Sequence, residues 1–497
     1  TITKYYPFID DETKSILDSL MEGASSYYDF TQRLCEVVLN NEVPINLTYI
    51  AAVQAWWCRL EEPMNQIQEK YKDVHWIKPW GHAHTSFESD QIRFHDSVVT
   101  AIENLTQESV DDWILTELHL LHAHYHWPMF GDIPSLLEPV EKARELIAAN
   151  SLLRCFEAQA YFYDGWSKRA EGNIDSSVAT YKRGLELAES HDESLHRYLN
   201  LGGLGDVLKN VSIKEAAARF EESYSVVQDL EVPYLEGEVL HDSGLVFEAA
   251  GEYDLAMATY LESLKAFALN ERENYQFVDL ARVNILMGEG QKALLLIDRY
   301  CEYVEPIETI ICQLLKAWAL ASTDKLGDAE RTLESAYSMI IKSGLEPILG
   351  DYYHISGVIE LRKGNFLDAI GTIEKAWKIA ERMPSGLNQN LALLDLARAE
   401  ISLNNQSIDS TKVVAPGKWL CKLEDFAVQR ELPGIRIQAA LLKSELYQNH
   451  GQLKDAQAIL ADALNITDSP GVNTLRKKIS SRIEEMNRLL HDEELAS

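Results

Sequence analysis

Pairs of glycines seven residues apart recur along this chain, and they restrict what it can fold into. In the stretch 237–264, Gly244 is followed by Gly251. Leu240, Ser243, Gly244 and Phe247 fall three and four apart, so they share one face of a first helix. Ala249, Ala250, Gly251 and Glu252 end that helix, with Gly251 supplying the break. Ala256, Tyr260, Ser263 and Leu264 line one face of a second helix. Gly244 and Ala256 let two backbones approach closely, and Phe247 and Tyr260 fill the space beside them. The stretch predicts one helical hairpin. The same gap separates Gly165 from Gly172 and Gly357 from Gly364. Weaker copies carry Ala281, Gly288 and Ala293; Ala317, Ala329 and Ala336; and Gly451, Ala456 and Ala463. The residue opening the second helix stands at Ser177, Ala216, Ala256, Ala293, Ala329, Ala369, Asp409 and Ala456, at intervals of 39, 40, 37, 36, 40, 40 and 47.

This unit resembles a tetratricopeptide repeat. That signature is a small residue in the first helix, a turn glycine, an alanine early in the second helix, then an aromatic and another small residue. The family's usual period is about 34 residues. The longer spacing here is similar to the repeats of maltose-regulator-like proteins, whose helices run about one turn longer. The resemblance covers residues 111–465. It implies an all-α, right-handed helical-repeat solenoid of about eight or nine helix-turn-helix hairpins, with helical caps at its ends.

Residues 1–110 lack the repeat but keep helical spacing, at Ile16 and Leu20 and at Leu34, Val37 and Val38. Pro44 and Pro63 bracket a helix containing Trp56 and Trp57. This part reads as an N-terminal helical cap or bundle, because the end of a stack needs covering. Residues 111–465 form the array, with a degenerate first hairpin around Trp113 and Ala143. Gly202, Gly203 and Gly205 loosen the hairpin after residue 198. They are not a phosphate loop, since no strand precedes them and no Lys-Ser or Lys-Thr follows. The polar segment 402–417 interrupts the array, which resumes at Trp419. Leu475, Ile479, Ile483, Met486 and Leu490 form one stripe, so residues 471–492 predict an amphipathic capping helix.

Seventy-eight acidic residues against 46 basic give a formal charge of −32. That opposes nucleic acid and anionic membrane surfaces, and it suits a basic protein or peptide. No apolar run is long enough to span a bilayer. The start of the chain has no basic segment followed by an apolar one, so no signal peptide is expected. Six cysteines (Cys35, Cys58, Cys155, Cys301, Cys312 and Cys421) are scattered without a Cys-x-x-Cys pair. They predict reduced thiols in a cytoplasmic protein.

Two groups of residues are candidates for function. The first is a histidine cluster, with eight of the 14 histidines between His75 and His126. Within it, His119, His122 and His126 are capable of holding a metal, since imidazoles bind zinc, copper or nickel when two or three converge. The same run also reads as an aromatic-rich packing surface. The second group comes from the family resemblance, in which set positions of each first helix line the concave face. Carried over, these are Trp166, Arg169, His241, Tyr275, Arg282, Trp318, His354 and Arg398, with Glu248, Asp351, Gln438 and Glu445 beside them. A tryptophan or arginine left outside the core set is favoured as a binding anchor. The competing expectation is that tightly coiled repeats pack these residues against one another. The family's carboxylate clamp is not matched, because Asp164-Gly165-Trp166 stands where its uncharged residue, glycine and asparagine belong.

No nucleophile elbow, Walker loop or His-Glu-x-x-His is present, and no cofactor is expected. The reading is a non-catalytic protein- or peptide-binding scaffold. One alternative is a peptide-gated regulator that sequesters a partner, without the basic recognition helix DNA requires. Another is a metal sensor or enzyme built on the histidine cluster. Arg282→Glu with Arg398→Glu is expected to abolish capture of an acidic ligand while leaving the melting temperature nearly unchanged.

Overall fold

The computed structural model describes residues 2–74, 76–77, 89–108, 111–126, 133–209, 211–268, 276–300, 306–343, 348–382, 386–405, 416–466 and 470–496, and every regular element among them is a helix. Tyr275, His75, His82, His84, Cys301 and Asp409 lie outside the described residues, as do the side chains of His95 and His126. Helices follow one another as antiparallel hairpins, and successive first helices also touch each other. The chain divides into two compact units. One comprises Thr1–Leu208, Ala218–Val239 and Lys265–Arg272; the other comprises Lys209–Ala217, Leu240–Leu264 and Glu273–Ser497.

In the first unit, the helix Ile45–Trp57 is buried from Leu47 to Trp57. Only an element surrounded by other helices tolerates apolar residues on every side. Trp56 stacks edge-on against Trp57 and against His124. A polar chain threads the interior: Gln54 Nε2 donates to Tyr5 Oη at 3.2 Å, and Tyr5 Oη donates to Glu117 Oε1 at 2.8 Å. Lys4 Nζ completes it with an ion pair to Glu117 at 3.2 Å. Burying these charges is tolerable because each finds its counterpart. The glycine rule holds here as stacking: the Tyr181 ring fills the space beside Gly165 and Gly203.

The second unit contains the hairpins Gln276–Met287 with Gly290–Tyr300, Pro306–Ser322 with Leu326–Ser343, Leu349–Lys363 with Phe366–Arg382, Gly386–Asn405 with Lys418–Gln429, and Pro433–Asn449 with Leu453–Leu464. Ala281, Ala293, Ala317, Ala329 and Ala336 are fully buried among leucines and isoleucines. Their small size lets backbones approach, and each neighbouring large side chain withdrawn from water contributes about 1.5–3 kcal/mol. Gly244 packs under the Tyr260 ring, as the spacing predicts. The helix Asn473–Ala496 sets Leu475, Ile479 and Met486 against Ala456, Leu460 and Ala463. The helix before the polar interruption runs on to Asn405, and the next begins at Lys418.

This unit returns on itself. The turn of its first hairpin, around Gly251, meets helices far later in the chain. Gly434 N donates to the Ala250 carbonyl at 3.0 Å, and Asn390 Nδ2 donates to the Ala249 carbonyl. Gln438 Nε2 donates to Tyr253 Oη at 3.2 Å. Thr474 donates to Asp254 through its backbone N at 2.8 Å and its hydroxyl at 2.6 Å, across 220 residues of sequence.

Candidate functional site

The first helices of the second unit carry two clusters of the same composition. His241, on the helix Pro233–Ala249, sets Nε2 2.8 Å from Oδ2 of Asp279 on the next first helix. One turn after Asp279, Arg282 reaches back to its Oδ1 at 2.6 Å. Arg282 also grips Glu248 with two nitrogens, Nε to Oε1 at 2.5 Å and Nη2 to Oε2 at 2.7 Å. Tyr260 Oη donates to the same Glu248 at 2.8 Å. Further along, His354 sets Nε2 2.8 Å from Oδ2 of Asp395, again one first helix on. Arg398, one turn later, donates to Asp395 Oδ1 at 2.5 Å. Trp318 packs edge-on to His354, with ring centres 5.2 Å apart.

The electrostatics follow from this pairing. Burial opposes a charged His241, but the carboxylates of Asp279 and Asp242 outweigh it and push its pKa up to about 10. Burial raises Asp279, yet Arg282 and His241 hold it below the ordinary carboxylate value. Asp395 is brought down to about 2, because Arg398 and His354 overcome its burial. The result is a row of mutually satisfied polar and charged groups.

Five of the sequence candidates therefore fall into two clusters: His241 with Arg282, and Trp318 with His354 and Arg398. They are spent largely on one another and on neighbouring acids, as tight coiling implies. Glu248 has no exposure, so Arg282 holds the array together from within. Charge reversal there is not a silent control, which departs from the sequence expectation. Arg398, with 45% side-chain exposure, keeps a face to solvent. Trp166 is half-buried, and Arg169 pairs with Asp206, both in the first unit.

The aspartates were missed because acids are everywhere in this chain. A signal did exist. Asp-Leu-Ala-Arg occurs at 279–282 and again at 395–398, and His-x-Ser-Gly occurs at 241–244 and 354–357. Each histidine stands three residues before the small glycine of its helix, and each aspartate two before the corresponding alanine. Positions offset by one in the repeat register face each other on successive first helices, so the two tetrapeptides meet.

Of the histidine cluster, His119 is buried and His122 half-buried on the helix Asp112–His126. Burial lowers His119 to about 4. His124 shares a hydrogen bond with Tyr163 Oη at 3.0 Å, and burial brings it down to about 3. Among the described residues no three histidine, cysteine or acidic side chains come together as a metal-binding group.

The pairing of small residue with facing ring, the turn glycines and the contacts between successive first helices define the architecture. It is a tetratricopeptide-like helical-repeat fold. Among solved structures, the chain is similar to a Rap protein complexed with competence and sporulation factor, at 12% identity over 76% of this chain and 98% of that one, with a TM-score of 0.39. It is also similar to yeast Tom70, at 12% identity over 99% and 97% of the two chains and a TM-score of 0.34. The apo form of RapI gives 12% identity over 76% and 99%, with a TM-score of 0.32. No family model and no curated protein matches the chain. Among the described residues, no helix is long and apolar enough to cross a membrane.

Proposed function

We propose that this protein is a non-catalytic scaffold that holds a peptide or another protein along the first helices of its hairpins. The observation that carries the reading is the repeated His–Asp–Arg arrangement on successive first helices. It fixes a row of charged side chains in place before any partner arrives, and such preorganisation lowers the ordering cost of binding. Arg398 and the partly exposed His241 present polar hydrogen-bonding groups from that row. The net charge of −32 favours a basic partner through long-range steering. Reduced thiols at the buried Cys35, Cys58 and Cys155 support a reducing, cytoplasmic setting.

The test is fluorescence anisotropy with a panel of basic, neutral and acidic peptides at two salt concentrations. Saturable binding of basic peptides that weakens with salt supports the reading. Binding to no peptide, together with no protein captured specifically from native lysate, removes it.

A further inference from the structure

We propose that a cavity in the first unit is a binding site for a phosphate monoester. The cavity measures about 570 Å³, within the range of roughly 300–1,000 Å³ usual for small-ligand sites. It runs between the helix Ile133–Ala149, the short turn Ser151–Phe156 and the helix Glu157–Ala170. Arg144, Arg154 and Lys168 line it, with Asp164 and Glu157 as the carboxylates on its wall among the described residues. In a chain where acids outnumber bases 78 to 46, a cavity with more cations than carboxylates runs against the composition.

The cations are arranged, not merely present. Asp164 is nearly buried, and its Oδ2 accepts from Arg144 Nη2 at 2.9 Å and from Lys168 Nζ at 3.0 Å. That one carboxylate holds two cations in position and is itself neutralised by them. Lys168 Nζ is fixed again by Thr180 Oγ1 at 2.8 Å. The Arg144 guanidinium lies over the Tyr161 ring, 5.2 Å from its centre, which sets its plane. Arg154 is exposed and has no ion-pair partner among the described residues, so it is the cation left over for a ligand.

A tetrahedral oxyanion offers several oxygens to donors arriving from different directions, whereas a planar carboxylate is satisfied by a single guanidinium fork. Three cations from three segments therefore suit a phosphoryl group better. The volume exceeds what a bare ion fills, and Ile147 and Ala148 give the rest of the ester an apolar stretch of wall. Glu157 opposes the ligand's charge and limits its affinity. This site is independent of the proposed scaffold surface.

Isothermal titration calorimetry on the whole chain tests it, with phenyl phosphate, inorganic phosphate and benzoate as probes. Phenyl phosphate is expected to bind one-to-one, about tenfold more tightly than either of the others. Arg154→Ala, at an exposed position, should weaken it about tenfold with an unchanged circular dichroism melt, and Glu157→Gln should tighten it a few-fold. No saturable heat, equal affinity for benzoate, or an Arg154→Ala variant that binds as the parent does overturns the site. Inorganic phosphate binding as tightly as the ester overturns the monoester assignment.

Discussion

Gly434 lies against Gly251 with no room for one added carbon: a Cβ on Gly434 would stand 2.1 Å from the Gly251 carbonyl oxygen. The obstacle is backbone, which cannot rotate aside, and the Gly434 N–H is already bonded to Ala250. Gly434→Ala is expected to cost about 2–4 kcal/mol in urea denaturation. Gly371 gives the opposite sign. It sits exposed inside the helix Phe366–Arg382 with open space around it. Gly371→Ala should therefore stabilise by about 0.5–1 kcal/mol.

Arg282 and Arg398 occupy equivalent positions but unequal surroundings. Removing Arg282 as Arg282→Met strands the fully buried Glu248, and the expected loss is about 3–5 kcal/mol. Adding Glu248→Met to it should recover most of that loss. Arg398→Met, at a half-exposed guanidinium, should cost about 1 kcal/mol or less. Thermal melts of the four proteins check this, and equal losses at the two arginines would contradict it.

His241 makes stability depend on pH in a defined window. Its pKa is raised to about 10 by Asp279 and Asp242 acting against burial, from an unfolded value of about 6.5. A raised histidine contributes fully below its unfolded pKa, and that contribution is lost as pH rises through the folded one. The parent protein should lose its advantage over His241→Gln progressively between about pH 6.5 and pH 10. The His241 imidazole signals in NMR should still report a proton on both nitrogens at pH 8. At the other end, Asp395 is lowered to about 2. Its contribution is present above about 3.8 and disappears as pH falls through 2.

Glu431, between the helices Lys418–Gln429 and Pro433–Asn449, has a φ of 55° without being glycine. It is exposed, and its side chain clashes with its own backbone in that left-handed region. Glu431→Gly should raise stability by about 0.5–1 kcal/mol in urea denaturation, the relief outweighing the added freedom of the unfolded chain.

Local packing was readable from the residues, and long-range packing was not. A glycine opposite an aromatic sixteen residues on, as at Gly244 with Tyr260 and Gly165 with Tyr181, announces a hairpin because both partners lie within one repeat. The turn glycines at Gly251 and Gly364 declared themselves in the same way, while Asp192, Asp324 and Glu431 adopt the same backbone region with no compositional sign. The contact of Gly434 with Gly251 depends on how much each hairpin rotates against the next, a quantity set by many small packing terms. At the candidate site, histidines and arginines stood out as rare residues. Asp279 and Asp395 did not, being two among many acids until the repeated tetrapeptide is set beside the geometry.

A stack that touches only its neighbours can gain or lose a hairpin at little cost, because every junction is alike. The hydrogen bonds from Gly434 and Thr474 back to Ala250 and Asp254 remove that freedom. Inserting or deleting one hairpin between residues 273 and 433 would carry the donors past their acceptors, so the number of hairpins in this unit is fixed as firmly as the strand number of a closed barrel.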